Sequence, residues 1–277
     1  MLSLDNDLWA ELSGPYGSAK NVPGLLQQLE QAFSQEVFDT LFQEYLFHQN
    51  SIYTAAYAVM PFLAKLAGET SDAAVRKELF IHCGIIEASR NEEHQVPYPP
   101  SWIELAEAVG STLCTQMYGD YVNAINLFRS LTEEVLHDAA ESSTDDTEKR
   151  YILIADAAFR ESYIVANMLM TFTEGDEYVA VCTACENEVY IWPDEDHTVP
   201  LRAYEDDPVF HTDQEAVVIQ PASSLADEAA QALAERAGRI GEQKLTAHLP
   251  YLAGKTVCPA CRENLSVWPA LLGTFTI

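Results

Sequence analysis

The chain has 277 residues and carries 43 Asp or Glu against 15 Lys or Arg, a formal charge of −28 at neutral pH. That length suffices for one large or two modest domains with a real core, and no apolar run approaches the roughly 18 residues of a membrane span; the longest, Ala55 to Leu66, is interrupted by Pro61 and Lys65. Residues 1–175 carry 26 acidic against 9 basic side chains and residues 176–277 carry 17 against 6, so the acidity is no tail, and such a surface disfavours nucleic acid while favouring solubility and a basic partner.

Residues 1–175 read as helix after helix. Leu8, Trp9 and Leu12 mark a short first helix, Asp5 to Leu12, and Gly14-Pro15-Tyr16-Gly17 is a turn. Pro23 sits near the start of the next helix, where its missing N–H costs nothing, and Leu25, Leu26, Leu29 and Phe33 share a face at helical spacing. A third helix carries Val37, Phe38, Leu41, Phe42, Tyr45 and Leu46; a fourth runs from Ile52 to Ala67, with a kink or break expected near Ala58 because of Pro61. Asp72 caps a helix through about Ser89 with Val75, Leu79, Cys83 and Ile86 on its apolar face, and the polar, proline-rich stretch Asn91 to Pro100 is a loop. Ser101-Trp102-Ile103-Glu104 matches a capping box and opens a helix with Leu105, Val109, Leu113 and Met117. Another helix spans about Tyr121 to Ala140, followed by a polar break at Glu141 to Thr147. The last, Glu148 to Phe172, is apolar nearly all round, as expected of a buried helix. Eight helices on short connections predict an all-α layer, and antiparallel pairs stacked side by side would make an α-solenoid.

The opening residues carry a likeness. Trp9-x-x-Leu12, Tyr16-Gly17-x-Ala19-x-x-Val22-Pro23-x-Leu25-Leu26 and His48-Gln49-x-Ser51-Ile52-Tyr53-x-Ala55-x-Tyr57-Ala58-Val59-x-Pro61-Phe62-Leu63 resemble the start of bacterial HEAT-repeat-like proteins. The match is specific over about residues 9–66 and loose afterwards; some of these proteins also carry paired CxxC motifs near the C-terminus. The resemblance implies a HEAT-like α-solenoid used for protein binding, read in some relatives as an immunity protein beside a secreted toxin. No catalytic residues come with it, and His48-Gln49 is assigned a structural role at a helix junction.

From Asp176 the pattern changes. Tyr178 to Cys182 and Val189 to Trp192 alternate with period two, Pro193 to Thr212 reads as an acidic, Pro-containing loop, and Val217 to Gln220 as a short strand. Ser223 or Ser224 then caps a long helix to about His248, with Leu225, Ala229, Leu233, Ala237 and Ile240 as its stripe. The expected organisation is a helical domain over 1–175 and a zinc-ribbon-like module over 176–277, interrupted by a helix at about 223–248.

Two stretches of that module copy one another without a gap. Cys182-Thr183-Ala184-Cys185-Glu186-Asn187-Glu188-Val189-Tyr190-Ile191-Trp192-Pro193 aligns with Cys258-Pro259-Ala260-Cys261-Arg262-Glu263-Asn264-Leu265-Ser266-Val267-Trp268-Pro269. Thiolates at both ends of a tight CxxC turn reach one ion at ~2.3 Å, and two such turns complete a tetrahedral four-thiolate zinc site. A single CxxC is weak; a matched pair with matching flanks is strong. A thioredoxin-like redox pair would open a helix, whereas Val189 to Trp192 and Leu265 to Trp268 alternate like strands. Disulfides compete only outside a reducing compartment, and Met1-Leu2-Ser3-Leu4-Asp5 is no signal peptide, so a cytoplasmic setting is expected. Rubredoxin-type iron uses the same ligands and stays open beside zinc. Four thiolates leave no position for water or substrate, which makes the site structural. A zinc deaminase would need H-x-E upstream of P-C-x-x-C; no His here has Glu at that offset, Val257 precedes Cys258, and there is no H-E-x-x-H.

Other clusters are weaker. Glu92-Glu93-His94, His137-Asp138 and Asp194-Glu195-Asp196-His197 lack partners at diagnostic spacing, and so acidic a chain produces such groups by chance. Asp156 and Glu161 sit on the most apolar helix, where a carboxylate needs a partner. Cys83 and Cys114 lie in apolar helical patterns and read as small hydrophobes. The expected function is a non-enzymatic protein-interaction module with structural zinc on Cys182, Cys185, Cys258 and Cys261, in its sharper form an immunity- or antitoxin-like protein that binds a basic partner. The alternative is a hydrolase or transferase with its site in a helical groove and zinc that only supports the fold. Nucleic-acid binding through the ribbon ranks third because of the charge.

Overall fold

A computed structural model describes residues 1–90, 94–142, 145–193 and 199–275. The chain is mainly helical, with a small sheet region towards the C-terminus, and divides into two compact units: Met1–Val135 with Ala158–Arg160, and Leu136–Ala157 with Glu161–Ile277. Among the described residues no helix is long and apolar enough to cross a membrane.

In the first unit Asn6 caps a 3₁₀ turn at Asp7–Ala10, shorter than the helix expected there, by accepting the Leu8 N–H. A small hairpin, β1 (Ser13–Gly14) with β2 (Gly17–Ser18), turns on Pro15 and Tyr16. Helix α1 (Val22–Gln31) starts on Val22-Pro23 and buries Val22, Leu26 and Leu29. Helix α2 (Gln35–Leu41) runs into a π-helical turn, Phe42–Leu46, and a second hairpin follows, β3 (Phe47–His48) with β4 (Ser51–Ile52). Neither hairpin is signalled by strand periodicity, since each strand is two residues long.

Helix α3 (Thr54–Glu69) runs through Pro61 without the break expected near Ala58. Proline forfeits one hydrogen bond to the preceding turn, but this helix is buried on nearly every side, from Ala55 to Ala64 and again at Ala67, and that burial offsets the loss. Asp72 caps helix α4 (Ala73–Ala88), accepting the N–H groups of Ala74 and Val75. Trp102, and not Ser101, stands at the cap of short helix α5 (Ile103–Val109). Gly110, at φ 94°, separates it from α6 (Ser111–Glu141). The helix expected from Tyr121 therefore begins ten residues earlier and stays continuous through Gly119. Phe159 stacks on Phe128 at 5.1 Å and meets Phe80 edge-on at 5.0 Å, closing this core.

In the second unit the apolar segment expected as one helix is two: α7 (Asp146–Phe159) and α8 (Tyr163–Thr171), parted at Glu161, whose φ is 64°. An antiparallel sheet has the order β5 (Tyr178–Val181), β6 (Glu188–Trp192), β7 (Arg202–Tyr204), β8 (Val217–Val218). Strand β7 lies within the stretch expected as loop, too short for its alternation to register. The long helix is again two: Asp227 caps α9 (Glu228–Ile240), Gly241 ends it in the left-handed conformation at φ 66°, and Glu242 caps α10 (Gln243–Leu252). Strands β9 (Lys255–Val257) and β10 (Asn264–Ser266) form a two-stranded sheet. Val267 and Trp268, read above as strand, open helix α11 (Val267–Leu272).

Two buried ion pairs tie this unit's helices. Arg150 reaches Glu242 at 2.6 Å, both side chains at most 2% exposed, and donates also to the Thr173 carbonyl at 3.0 Å. Asp156 pairs with Arg236 at 2.7 Å. The carboxylate that looked out of place on an apolar helix is thus a helix-to-helix contact.

Candidate metal centre

Both CxxC turns sit in the bends of β-hairpins. Strands β5 and β6 pair with Val181 opposite Glu188, which leaves residues 182–187 as the bend; β9 and β10 pair with Val257 opposite Asn264, leaving residues 258–263. The backbone bonds are the same in both. The Cys182 N–H donates to the Asn187 carbonyl at 2.9 Å and the Cys258 N–H to the Glu263 carbonyl at 2.8 Å; the Glu186 N–H donates to the Cys182 carbonyl at 2.8 Å and the Arg262 N–H to the Cys258 carbonyl at 2.9 Å. The residue after each second cysteine takes a left-handed conformation, Glu186 at φ 62° and Arg262 at φ 66°. For non-glycine residues this costs roughly 1–2 kcal/mol, and both copies bear it. The turn it produces aims the N–H groups of Ala184 and Cys185 at the Cys182 sulfur, and those of Ala260 and Cys261 at the Cys258 sulfur.

The two bends are brought face to face by the strands behind them. Gln220 and Lys255 exchange backbone hydrogen bonds at 2.8 and 3.0 Å, and the Thr256 hydroxyl donates to the Val218 carbonyl at 3.0 Å, joining β9 to the chain leaving β8. Gly254 permits this, because a Cβ there would stand 2.3 Å from the Gln220 carbonyl oxygen. Under the bends, Tyr178, Ala180, Val189, Ile191, Val267 and Leu271 form one buried apolar patch.

The sulfurs meet. Cys182 Sγ lies 3.9 Å from Cys261 Sγ and Cys185 Sγ lies 3.8 Å from Cys258 Sγ, and all four sulfurs fall within 4.8 Å of one another. A tetrahedron of thiolates at ~2.3 Å from zinc has edges of about 3.8 Å, whereas a disulfide requires about 2.05 Å. All four cysteines are free; Cys182 and Cys258 are buried, Cys185 is half-buried and Cys261 exposed. Among the described residues no His, Asp or Glu joins the group. Burial lifts the Cys182 thiol, but the Ala184 and Cys185 N–H groups and the neighbouring sulfurs outweigh it and bring it down to about 7. The Asn187 N–H favours the Cys185 thiolate, yet the surrounding sulfurs push that thiol up to about 12. Burial, first, and the adjacent sulfurs raise Cys258. Four thiols so close do not ionise together by themselves; a cation at the centre supplies the charge that lets them. The donor set therefore fits a soft, tetrahedral metal ion, and Cys182, Cys185, Cys258 and Cys261 could bind one.

Of the remaining sequence candidates, His94 joins a cluster around Glu87, and the others form no metal-ligating group among the described residues. His48-Gln49 lies at the β3–β4 turn, with Gln49 at φ 48° and Asn50 at φ 57°, and His48 Nδ1 lies 3.3 Å from the Tyr16 hydroxyl. This is a junction between helices, formed by a hairpin. His137 is exposed on α6, and neither it nor Asp138 belongs to a metal-ligating group. Glu92, Glu93 and Asp194 to His197 lie outside the described residues. Burial raises the thiols of Cys83 and Cys114, as suits core side chains.

One cluster escaped the sequence reading. In the first unit Glu87, fully buried on α4, has Arg90 Nη2 and His94 Nε2 each 3.3 Å from its Oε1, and its Oε2 accepts the Tyr121 hydroxyl. His94 Nδ1 is 2.6 Å from the Tyr118 hydroxyl. Burial, first, and the Glu87 charge push the Tyr121 hydroxyl well above its ordinary value. The signal available was a carboxylate on the buried side of an apolar helix with Arg three residues on, the argument applied to Asp156.

No protein-family model matches the chain, and no curated protein and no solved structure matches it.

Proposed function

We propose that this protein is a non-enzymatic protein-interaction module whose second unit is held by one structural zinc ion, and that its partner is basic. The observation that carries the reading is the closed set of four sulfurs: a tetrahedron filled by protein leaves no position where a metal could polarise water or substrate. The charge of −28 supplies the preference for a basic partner. In this reading α3 and α4, joined by three residues, form one antiparallel pair of a HEAT-like stack, and the C-terminal hairpins act as a zinc-ribbon-like module. The sharper form is an immunity- or antitoxin-like protein that neutralises a basic toxin in the cytoplasm. The test is affinity purification of the zinc-loaded chain from its source organism at physiological salt. A basic protein recovered in stoichiometric yield supports the reading; recovery of acidic proteins alone, or of none, refutes it.

The hydrolase or transferase alternative has one observation in its favour, the contact between buried Glu87 and the partly exposed His94. Both ring nitrogens of His94 are engaged, one by Glu87 and one by Tyr118, which leaves no nitrogen directed at a substrate. His94→Gln separates the readings: partner binding survives it, whereas an activity dependent on that imidazole does not.

A further inference from the structure

Between β7 and β8 the chain makes a loop, residues 205–216, that is tied at its neck. The Gln214 side chain accepts the Asp206 N–H at 3.0 Å and donates to the carbonyls of Asp206 and His211 at 2.7 and 2.9 Å. Asp207 accepts the Val209 N–H on its carboxylate at 2.8 Å, and its carbonyl takes the N–H groups of Phe210 and His211 at 3.1 and 3.0 Å. At the tip, Val209 and Phe210 are 59% and 79% exposed. Single exposed hydrophobes are ordinary. Here an adjacent pair stands on an ordered loop, and between Glu205 and Glu215 the chain has five carboxylates and no Lys or Arg. Glu205, Asp206, Asp213 and Glu215 are exposed and flank the pair along the chain. Apolar side chains flanked by charges are the anatomy of an interface anchor, and a loop whose backbone is already tied loses less entropy on docking.

We propose that Val209 and Phe210 are the anchor by which this protein docks on an apolar pocket rimmed by Lys and Arg in a partner protein. This rests on the reading above that the partner is basic, and it assigns the surface. The rim decides the partner's chemistry: a second copy of this chain would bring the same carboxylates, and nucleic acid or an anionic membrane would bring phosphates, each a like-charge encounter.

The probe is a fluorescein-labelled amphipathic helical peptide built of Leu and Lys, compared with its Leu and Glu counterpart, by anisotropy against the full zinc-loaded chain over a salt series. The Leu/Lys peptide binds and the Leu/Glu peptide does not. The double variant V209S/F210S weakens binding at least tenfold while circular dichroism and zinc content stay unchanged. D213K/E215K weakens it similarly and flattens its salt dependence. Equal binding by V209S/F210S and the unaltered chain overturns this surface and leaves the basic-partner reading standing. No binding of the Leu/Lys peptide at low salt overturns both.

Discussion

Replacing Cys258 with serine tests the centre at its buried side. The sulfur contact from Cys185 to Cys258 closes 73 residues of chain. Holding the ends of a loop that long together removes on the order of 4 kcal/mol of conformational freedom from the unfolded chain, a contribution that an ion bound to both hairpins makes and a broken ligand set forfeits. A serine hydroxyl stays protonated where a thiol ionises, and it is a harder donor than the soft thiolate, so C258S is expected to lose zinc and at least ~3–4 kcal/mol of second-unit stability. Urea unfolding followed by near-ultraviolet circular dichroism measures the loss, because Trp192 ends the strand that leaves the first bend and Trp268 lies on the helix that follows the second hairpin, and zinc released on thiol modification gives the stoichiometry. Unaltered protein stripped by a chelator should behave like the variant. One equivalent of zinc retained with an unchanged unfolding midpoint would refute the argument.

Three further outcomes follow from neighbouring contacts. Arg150→Met leaves Glu242 buried without its guanidinium and should cost about 3–5 kcal/mol in urea unfolding, whereas the double change R150M/E242Q should recover part of that loss. Gly254→Ala forces a Cβ to within 2.3 Å of the Gln220 carbonyl; a loss of about 1–3 kcal/mol with slower zinc uptake is expected, since β9 must move to accommodate it. Burial, reinforced by the charges of Arg150 and Lys244, holds His248 down to about 4 from 6.5. The unfolded chain therefore takes up this proton first as pH falls, so the stabilisation is full above about pH 6.5 and is lost progressively down to about pH 4, roughly 3 kcal/mol in all. His248→Gln should flatten that part of the unfolding profile, and an unchanged difference between pH 7 and pH 4.5 would contradict it.

The centre was legible because it is written twice. Two copies of CxxC followed by the same strand signal specify two equal bends, and the shared hydrogen bonds and left-handed residues at Glu186 and Arg262 follow from that. Helix starts were legible where a cap residue announced them, as at Asp72. Helix breaks were not. Gly241 ends α9 although the apolar stripe continues into α10 with Leu245 and Leu249, because the stripe records burial and not backbone continuity. The break at Glu161 has no glycine or proline to mark it. Pro61 errs the other way, since packing around α3 overrides the local rule. The Glu87 cluster was hidden because Tyr121 on α6 and His94, outside any helix, reach one carboxylate on α4 from separate segments, a meeting no spacing rule encodes.

A metal bound by the four sulfurs would matter most to the smallest elements. Strands β9 and β10 have three residues each and β8 has two, far below what an isolated hairpin needs to persist in water. Their ladder alone cannot hold the second bend against the first, and the apolar patch beneath is shared with β5, β6 and α11, so losing either bend loosens both. Local rules shape each turn, and the four sulfurs bring residues 182–185 and 258–261 directly together, beyond what the strand junction at Gln220–Lys255 and the shared apolar patch supply. In the proposed reading a bound ion is the last member of the core, and the loop that carries Val209 and Phe210, which leaves β7 and returns through β8 to the Gln220–Lys255 junction, is held by a frame whose far end is the four-sulfur cluster. Zinc removal should consequently loosen the Phe210 loop without touching any residue in it, which hydrogen exchange at the backbone amides of residues 206–211 can measure; protection unchanged after removal of zinc would separate the two and refute the coupling.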